Sequence, residues 1–224
     1  MATSQSEMDE TRPDEFETVV RDRRSVHDYS DEDVSEETLR EVFDLVRYTP
    51  SGYNLQPWEF VVLTDEDDRA ALQECAGGQE HVTDAPVAVV VLGNKDPAAH
   101  ADRVFDDWLD KGYLPDEETR DGLVDTIEGW RDRSEEQNTL WTTRSTSLAA
   151  MTLMHAARSK GLSTCPMEGF DDGAVRDTFD VPEQFEPVML VTMGYAAEDA
   201  NDRENERKFR RSVDEITHFG GFEQ

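Results

Sequence analysis

The sequence predicts one α+β or α/β sandwich, with helices and strands mixed about a single sheet. Three observations carry that prediction. Two apolar runs, VAVVVL (Val87–Leu92) and VMLVTMG (Val188–Gly194), have the length and β-branched content of buried strands. Segments with apolar residues at helical spacing lie before, between and after them. A chain of 224 residues has room for one domain, or one with appendages.

Residues Met1 to Glu15 are polar and acidic around Pro13 and read as a mobile lead-in, leaving 16–224 as the domain. SEETLREVFDLVRYT begins at Ser35, a capping residue, carries acids in its first turn, and sets Leu39, Val42, Phe43 and Val46 at helical spacing. It stops before Pro50. WEFVVL (Trp58–Leu63) reads as a strand, and DEDDRAALQECA as a short helix ended by Gly77 and Gly78. VAVVVL is uninterrupted, so a central strand covered on both faces is expected. From Ala98 to Glu136 the chain is charged and loosely helical, with Trp108, Tyr113 and Trp130 scattered through it, and reads as helical cover or a lid over about 98–139. TTRSTSLAAMTLMHAARSKG, up to Gly161, carries Ala, Ser and Met all round, as a helix buried against another helix or another subunit would. STCPMEGFD reads as a loop, followed by a helix, the strand VMLVTMG and a tail, RENERKFRRS, in which positive charge returns.

Fifty-two acidic side chains against 22 basic ones leave a formal charge of -30. That field repels nucleic acid and anionic membrane surfaces, whose binding needs clustered Lys and Arg, so neither is an expected partner. The acids are dispersed along the chain, and among the bases Arg far outnumbers Lys. Such a coat suits a halophilic protein working in concentrated salt, where screening shrinks its self-repulsion. Cys75 and Cys165 show no CxxC or Cys/His ligand spacing, and the five histidines show none either, so no disulfide framework and no metal site are expected. There is no basic-then-apolar leader and no apolar run near the ~18 residues of a membrane span. A cytoplasmic protein is the expectation.

GxGxxG after a strand, GxxxxGK[ST], HExxH and GxSxG are all absent. The densest basic patches are Arg23 and Arg24, beside Ser25, and Arg207, Lys208, Arg210 and Arg211. Guanidinium forks with a lysine and a hydroxyl would hold a phosphate if the two patches meet; alternatively each pairs with local acids such as Asp22 and Glu206. PSGYNLQPWEF gathers Ser51, Gly52, Asn54 and Gln56 in a helix-to-strand loop, either an edge-reader for a polar ring or a plain turn. In STCPMEGFD, Pro166 fixes a bend and Gly169 permits close backbone approach; Glu168 is a general acid or an ordinary loop residue. Cys165 reads as a small buried filler, and His155 as a core histidine.

Together, RRSVHDY, TPSGYNLQPWEFVVL, DAPVAVVV, SKGLSTCPMEGFD and ERKFRR, in this order and at these spacings, resemble the nitroreductase family of flavin enzymes over about Arg23 to Arg211. The resemblance implies an α+β three-layer sandwich with a mixed central sheet, a domain-entwined homodimer, and an FMN in each active site at the subunit interface. It implies ping-pong hydride transfer from NADH or NADPH to nitroaromatic, quinone or similar flat acceptors, carried by the flavin without a side-chain nucleophile. By position, Arg23, Arg24 and Ser25 match FMN phosphate and ribityl contacts, with Lys208 and Arg210 completing the phosphate clamp. Pro50, Ser51, Gly52 and Asn54 match a loop laid against the flavin by the partner subunit, and Ser145 a polar partner-subunit contact. Pro166, Met167, Glu168 and Gly169 match the loop at the isoalloxazine edge, with a backbone N–H near Glu168 and Gly169 facing N5. His27 departs from the family, many of whose members carry Lys or Arg near the flavin N1 and O2; His81 stands where some offer a second lysine. Two alternatives remain open: the same fold and FMN with reductive dehalogenation or enone reduction, and a flavin-binding redox module without turnover.

Overall fold

The computed structural model describes residues 13–198, 200 and 207–222. Most of the lead-in therefore lies outside the described residues, and helix α1 (Pro13–Asp22) already takes in its last three residues. Next come helix α2 (Glu36–Val46), strand β1 (Trp58–Leu63), helices α3 (Glu66–Cys75) and α4 (His81–Asp84), and strand β2 (Val87–Asn94). Helices α5 (Ala101–Asp110), α6 (Glu117–Glu128) and α7 (Glu135–Ser159) lead to strand β3 (Ser163–Met167). Helix α8 (Asp172–Thr178), strand β4 (Phe185–Gly194) and the short α9 (Val213–Ile216) complete the chain.

Local chemistry sets the helix boundaries. The Ser35 hydroxyl accepts from the Thr38 N–H at 3.1 Å and starts α2, which buries Leu39, Val42 and Val46. Asp65 caps α3 and Asp171 caps α8, while Ser134 and Gln137 form a reciprocal capping box at the start of α7. That box starts the long helix seven residues before Thr142, where the sequence pattern begins, and Asn138 in the added turns is buried along with the later alanines.

The strands are ordered β1-β2-β4-β3. All three ladders are antiparallel, with Val61 opposite Val90, Val90 opposite Leu190, and Cys165 opposite Thr192. The parallel component expected of the sheet reduces to one bridge, Ser25 with Thr164. The reason is topological: β2 and β3 run in the same direction and are joined by a helical crossover, but β4 inserts between them and pairs antiparallel with both.

The continuous apolar character of β2 follows from its place. Val87, Val89 and Val91 pack with α2 and α7 on one face, while Ala88, Val90 and Leu92 pack with Leu72, Val82 and Val175 on the other. The sheet is thus the middle layer of three. Between Ala98 and Trp130, helices α5 and α6 close a small core of Ala101, Val104, Phe105, Val124 and Ile127, joined by Leu55 from the loop before β1. Arg120 braces it, reaching Asp102 at 2.6 Å, Asp106 at 2.8 Å and Asp121 at 3.0 Å.

One expectation is corrected here. Ser163 to Met167 do not form a loop: they are the edge strand β3, and the loop shortens to Glu168–Asp171. An edge strand tolerates Pro166, which has no N–H to give to a further ladder. Among the described residues no helix is long and apolar enough to cross a membrane.

Candidate functional site

The stretch between α1 and α2 lies along the free side of β3. Val26 donates its N–H to the Thr164 carbonyl at 3.2 Å, Ser30 donates to Tyr195 O at 2.9 Å, and Ala197 donates to Asp28 O at 3.1 Å. The Tyr29 and Thr192 hydroxyls share a hydrogen bond of 2.8 Å. This stitching sets Arg23, Arg24 and Ser25 against Ser163 and Thr164.

A cavity of about 240 Å³ opens there, lined by Arg23, Arg24 and Arg158 with Asp22, Ser163 and Thr164. The Arg23 Nη1 and the Thr164 Oγ1 are buried and have no hydrogen-bond partner. Burial first, then repulsion from Arg210 and Arg207, lowers the Arg23 pKa. The two basic patches of the sequence therefore do approach one another, since charges far apart in acidic surroundings would not couple this way. Among the described residues Asp22 does not pair with Arg23: its ion pair is with Arg158, at 3.8 Å, and Glu206 lies outside the described residues. Arg210 turns back on its own segment, donating to the carbonyls of Lys208 at 3.1 Å and Phe209 at 2.9 Å. Arg211 donates to the Glu215 carbonyl.

Next along the same edge is His27, exposed, its ring centroid 4.9 Å from that of His81. Cys165 of β3 joins them: its sulfur and one nitrogen of each ring lie within 4.8 Å of one another. Burial, followed by the neighbouring His27, lowers the His81 pKa, with Asp84 opposing.

The loop after β3 is tied to the turn before α4. Gln79 donates through Nε2 to the Gly169 carbonyl at 2.9 Å and to Ala76 O at 3.0 Å, and Asp171 donates its N–H to Cys75 O at 2.9 Å. Glu168 and Gly169 are exposed and Pro166 is half-buried, whereas the Met167 side chain is buried in the core between the sheet and α3.

Pro50, Ser51, Gly52 and Asn54 sit elsewhere. Ser51 Oγ accepts from the Gln56 N–H at 2.9 Å, Gly52 approaches Trp141, and Tyr53 meets Phe105 and Trp130 edge-on. None of these residues lines the cavity at Arg23. The loop holds three non-glycine residues at positive φ, Tyr53 at 52°, Asn54 at 57° and Gln56 at 46°. Backbone in that region is strained for side-chain-bearing residues and is retained where surroundings over-determine it. Ser145 is buried on α7.

Sequence reasoning missed Arg158, Thr164 and the convergence of His81 with Cys165. Arg158 lies in the last turn of a helix read as wholly buried, and Thr164 stood in a presumed loop. No spacing signal connects His27, His81 and Cys165.

The sequence model of the Nitroreductase family matches residues 20–195. MhqN of Bacillus subtilis is 32% identical over 206 residues, covering 92% of this chain and 98% of its own. A Thermus thermophilus protein named NADH dehydrogenase is 32% identical over 184 residues, covering 81% and 87% respectively. A crystal structure from Exiguobacterium sibiricum, solved in complex with FMN, superposes with a TM-score of 0.80 at 26% identity, covering 97% of this chain and all of that one. With the three-layer α+β fold, these matches establish that the chain is an oxidoreductase and belongs to the nitroreductase family.

Proposed function

We propose that the chain binds FMN and uses it to reduce flat acceptors, nitroaromatics and quinones among them, at the expense of NAD(P)H. The carrying observation is the buried, unpartnered Arg23 Nη1 in a cavity shared with Arg24 and Arg158 and repelled by Arg207 and Arg210. A chain with a formal charge of -30 that packs these cations against one another has built a place for an anion. The donor set fits a phosphate monoester: guanidinium forks, the unpartnered Thr164 hydroxyl and the nearby Ser25.

FMN, when bound, supplies the hydride acceptor and donor. Arg23, Arg24, Lys208 and Arg210 would hold its phosphate, with Ser25 on the ribityl chain. Pro166, Met167, Glu168 and Gly169 would border the ring system, Met167 through its backbone because its side chain is committed to the core. The Gln79 hydrogen bond to the Gly169 carbonyl holds that loop in place; the Phe170 and Asp171 N–H groups donate to Glu168 O and Cys75 O, so those of Glu168 and Gly169 would be the ones to face a ligand. His27 and His81 would place a positive charge beside the ring only when protonated, unlike a permanent cation.

A homodimer belongs to the same proposal. Leu148 and Met151 of α7 are exposed in the single chain, and Phe209, Val213, Ile216, Phe219 and Phe222 form an exposed apolar series in the C-terminal segment. Such surface calls for a partner, and a second copy would cover it. Ser145 and the strained Pro50–Asn54 loop, away from the cavity of their own subunit, would serve the site of the other.

The test is a comparison of FMN with riboflavin, which lacks the phosphate, by equilibrium titration in molar salt. The proposal predicts much tighter binding of FMN. Equal affinities would mean that the cation cluster does not hold a phosphate.

A further inference from the structure

The side-chain cluster His27–His81–Cys165 comes from three separate elements: the stretch after α1, the first residue of α4, and the middle of β3. The ligand atoms of the three residues all lie within 4.8 Å of one another. In a tetrahedral zinc site, with Zn–S near 2.3 Å and Zn–N near 2.0–2.1 Å, donor atoms are about 3.5 Å apart. Contraction by roughly 1 Å would bring this cluster to that spacing. His27 is exposed and on an irregular stretch, so rotation about its side-chain bonds can supply the movement.

From this geometry we infer that the flavin-free chain binds a thiophilic transition-metal ion, of which Zn2+ is the type, through His27, His81 and Cys165. The donor set is one sulfur and two imidazole nitrogens, with a fourth position left for water or a ligand. The protein supplies a reason for softness. Its 52 carboxylic side chains offer oxygen donors to hard cations, whereas a thiolate with imidazoles discriminates against magnesium and calcium.

Two features of the surroundings bear on this assignment. His81 Nε2 is buried without a hydrogen-bond partner, so a ring nitrogen that could ligate an ion is left unclaimed beside the cluster. Arg23 lies close enough to Cys165 to interact with it electrostatically, and its charge opposes a dication there. A thiolate formed on metal binding would offset part of that repulsion. Cys165 is only 4% exposed, so an ion would arrive from the His27 side.

A consequence follows for regulation, and it rests on the FMN reading above. His27 and His81 belong to both sets of ligands, so metal and flavin would exclude one another.

The experiment uses the full-length chain, flavin-free, in molar NaCl with excess Mg2+ to occupy surface carboxylates, titrated with Co2+ as the spectroscopic probe. The inference predicts a thiolate-to-cobalt charge-transfer band saturating at one equivalent. The band should be lost in Cys165→Ser, weakened at least tenfold in apparent affinity in His81→Gln, and kept in Cys75→Ser. Circular dichroism of each variant verifies folding. Absence of the band in the folded wild-type chain, or its survival in Cys165→Ser, would overturn the site. FMN is then added and followed by its own absorbance. Release of cobalt by FMN supports the exclusion, and simultaneous binding refutes it. If FMN fails to bind at all, the cofactor reading falls while the cobalt result stands on its own.

Discussion

The backbone N–H of Val26 donates to the Thr164 carbonyl at 3.2 Å, and beside it Ser25 pairs in parallel with Thr164. Through this pair the segment that carries Arg23, Arg24 and His27 is fixed to the edge of the sheet, which turns a surface stretch into one wall of a site. The account of the protein depends on that wall being rigid and cationic.

Arg23 is predicted to be held for binding at the expense of stability. Its Nη1 is buried without a partner, and two further arginines repel it. A charge-assisted hydrogen bond contributes about 1.5–3 kcal/mol, so Arg23→Met should weaken FMN binding by roughly ten- to a hundredfold. The flavin-free variant should be as stable as the parent or more so. Titration and thermal unfolding together check this; a large loss of stability with unchanged affinity would contradict it.

Gly194 couples the sheet to the site. A Cβ at this position would lie 2.5 Å from Pro86 Cδ and 3.0 Å from Tyr29 Cδ1. The proline ring cannot swing aside, so Gly194→Ala should destabilise by about 1–3 kcal/mol, the usual range for overpacking. Because Tyr29 belongs to the segment that carries Arg23, flavin affinity should fall as well. Denaturant unfolding and FMN titration of the variant measure both effects, and full retention of either would show that the clash relaxes locally.

Acidification should weaken the fold through two histidines. His81 is lowered from 6.5 chiefly by burial, then by His27; His155, which meets Phe16 edge-on, is lowered from 6.5 by burial and then by Arg23. A depressed histidine binds fewer protons folded than unfolded. Its contribution is complete above pH 6.5 and is lost as pH falls through the lower folded value. The unfolding temperature should therefore drop between about pH 6.5 and 5 in molar salt. In the double variant His81→Gln/His155→Gln the drop should be smaller; identical pH profiles would remove these histidines from the explanation.

Salt should govern assembly. With a formal charge of -30 per chain, two copies repel strongly in dilute buffer, and screening at molar ionic strength shortens the range of that repulsion to about 3 Å. Dimerisation and FMN retention should both improve by an order of magnitude or more from 0.1 to 2 M NaCl, as read by sedimentation and by flavin absorbance. Indifference of both to salt would count against a halophilic design.

The elements that the sequence announces are those decided locally. Helix α2 carries its own cap at Ser35, and β2 shows its double-sided burial in an unbroken apolar run. Strand β3 was hidden because Pro166 and Gly169 read as bend chemistry, and only its edge position makes the proline acceptable. The start of α7, upstream of Thr142, was hidden because its residues are mostly polar, the buried Asn138 among them. In the site, the approach of Arg207 and Arg210 to Arg23 was conditional on the chain ends meeting, which no local pattern encodes. Cys165 was legible as buried but not as the neighbour of two histidines, since three distant elements bring them together.

The central claim, an FMN-dependent reductase driven by NAD(P)H, is tested most directly by the visible spectrum of the protein purified in high salt and supplied with FMN, before and after anaerobic addition of NADH or NADPH. The account predicts a protein-bound flavin band that bleaches on addition of the nucleotide and returns with a nitroaromatic or quinone acceptor. A chain that binds no flavin, or a bound flavin that neither nucleotide bleaches, would contradict it.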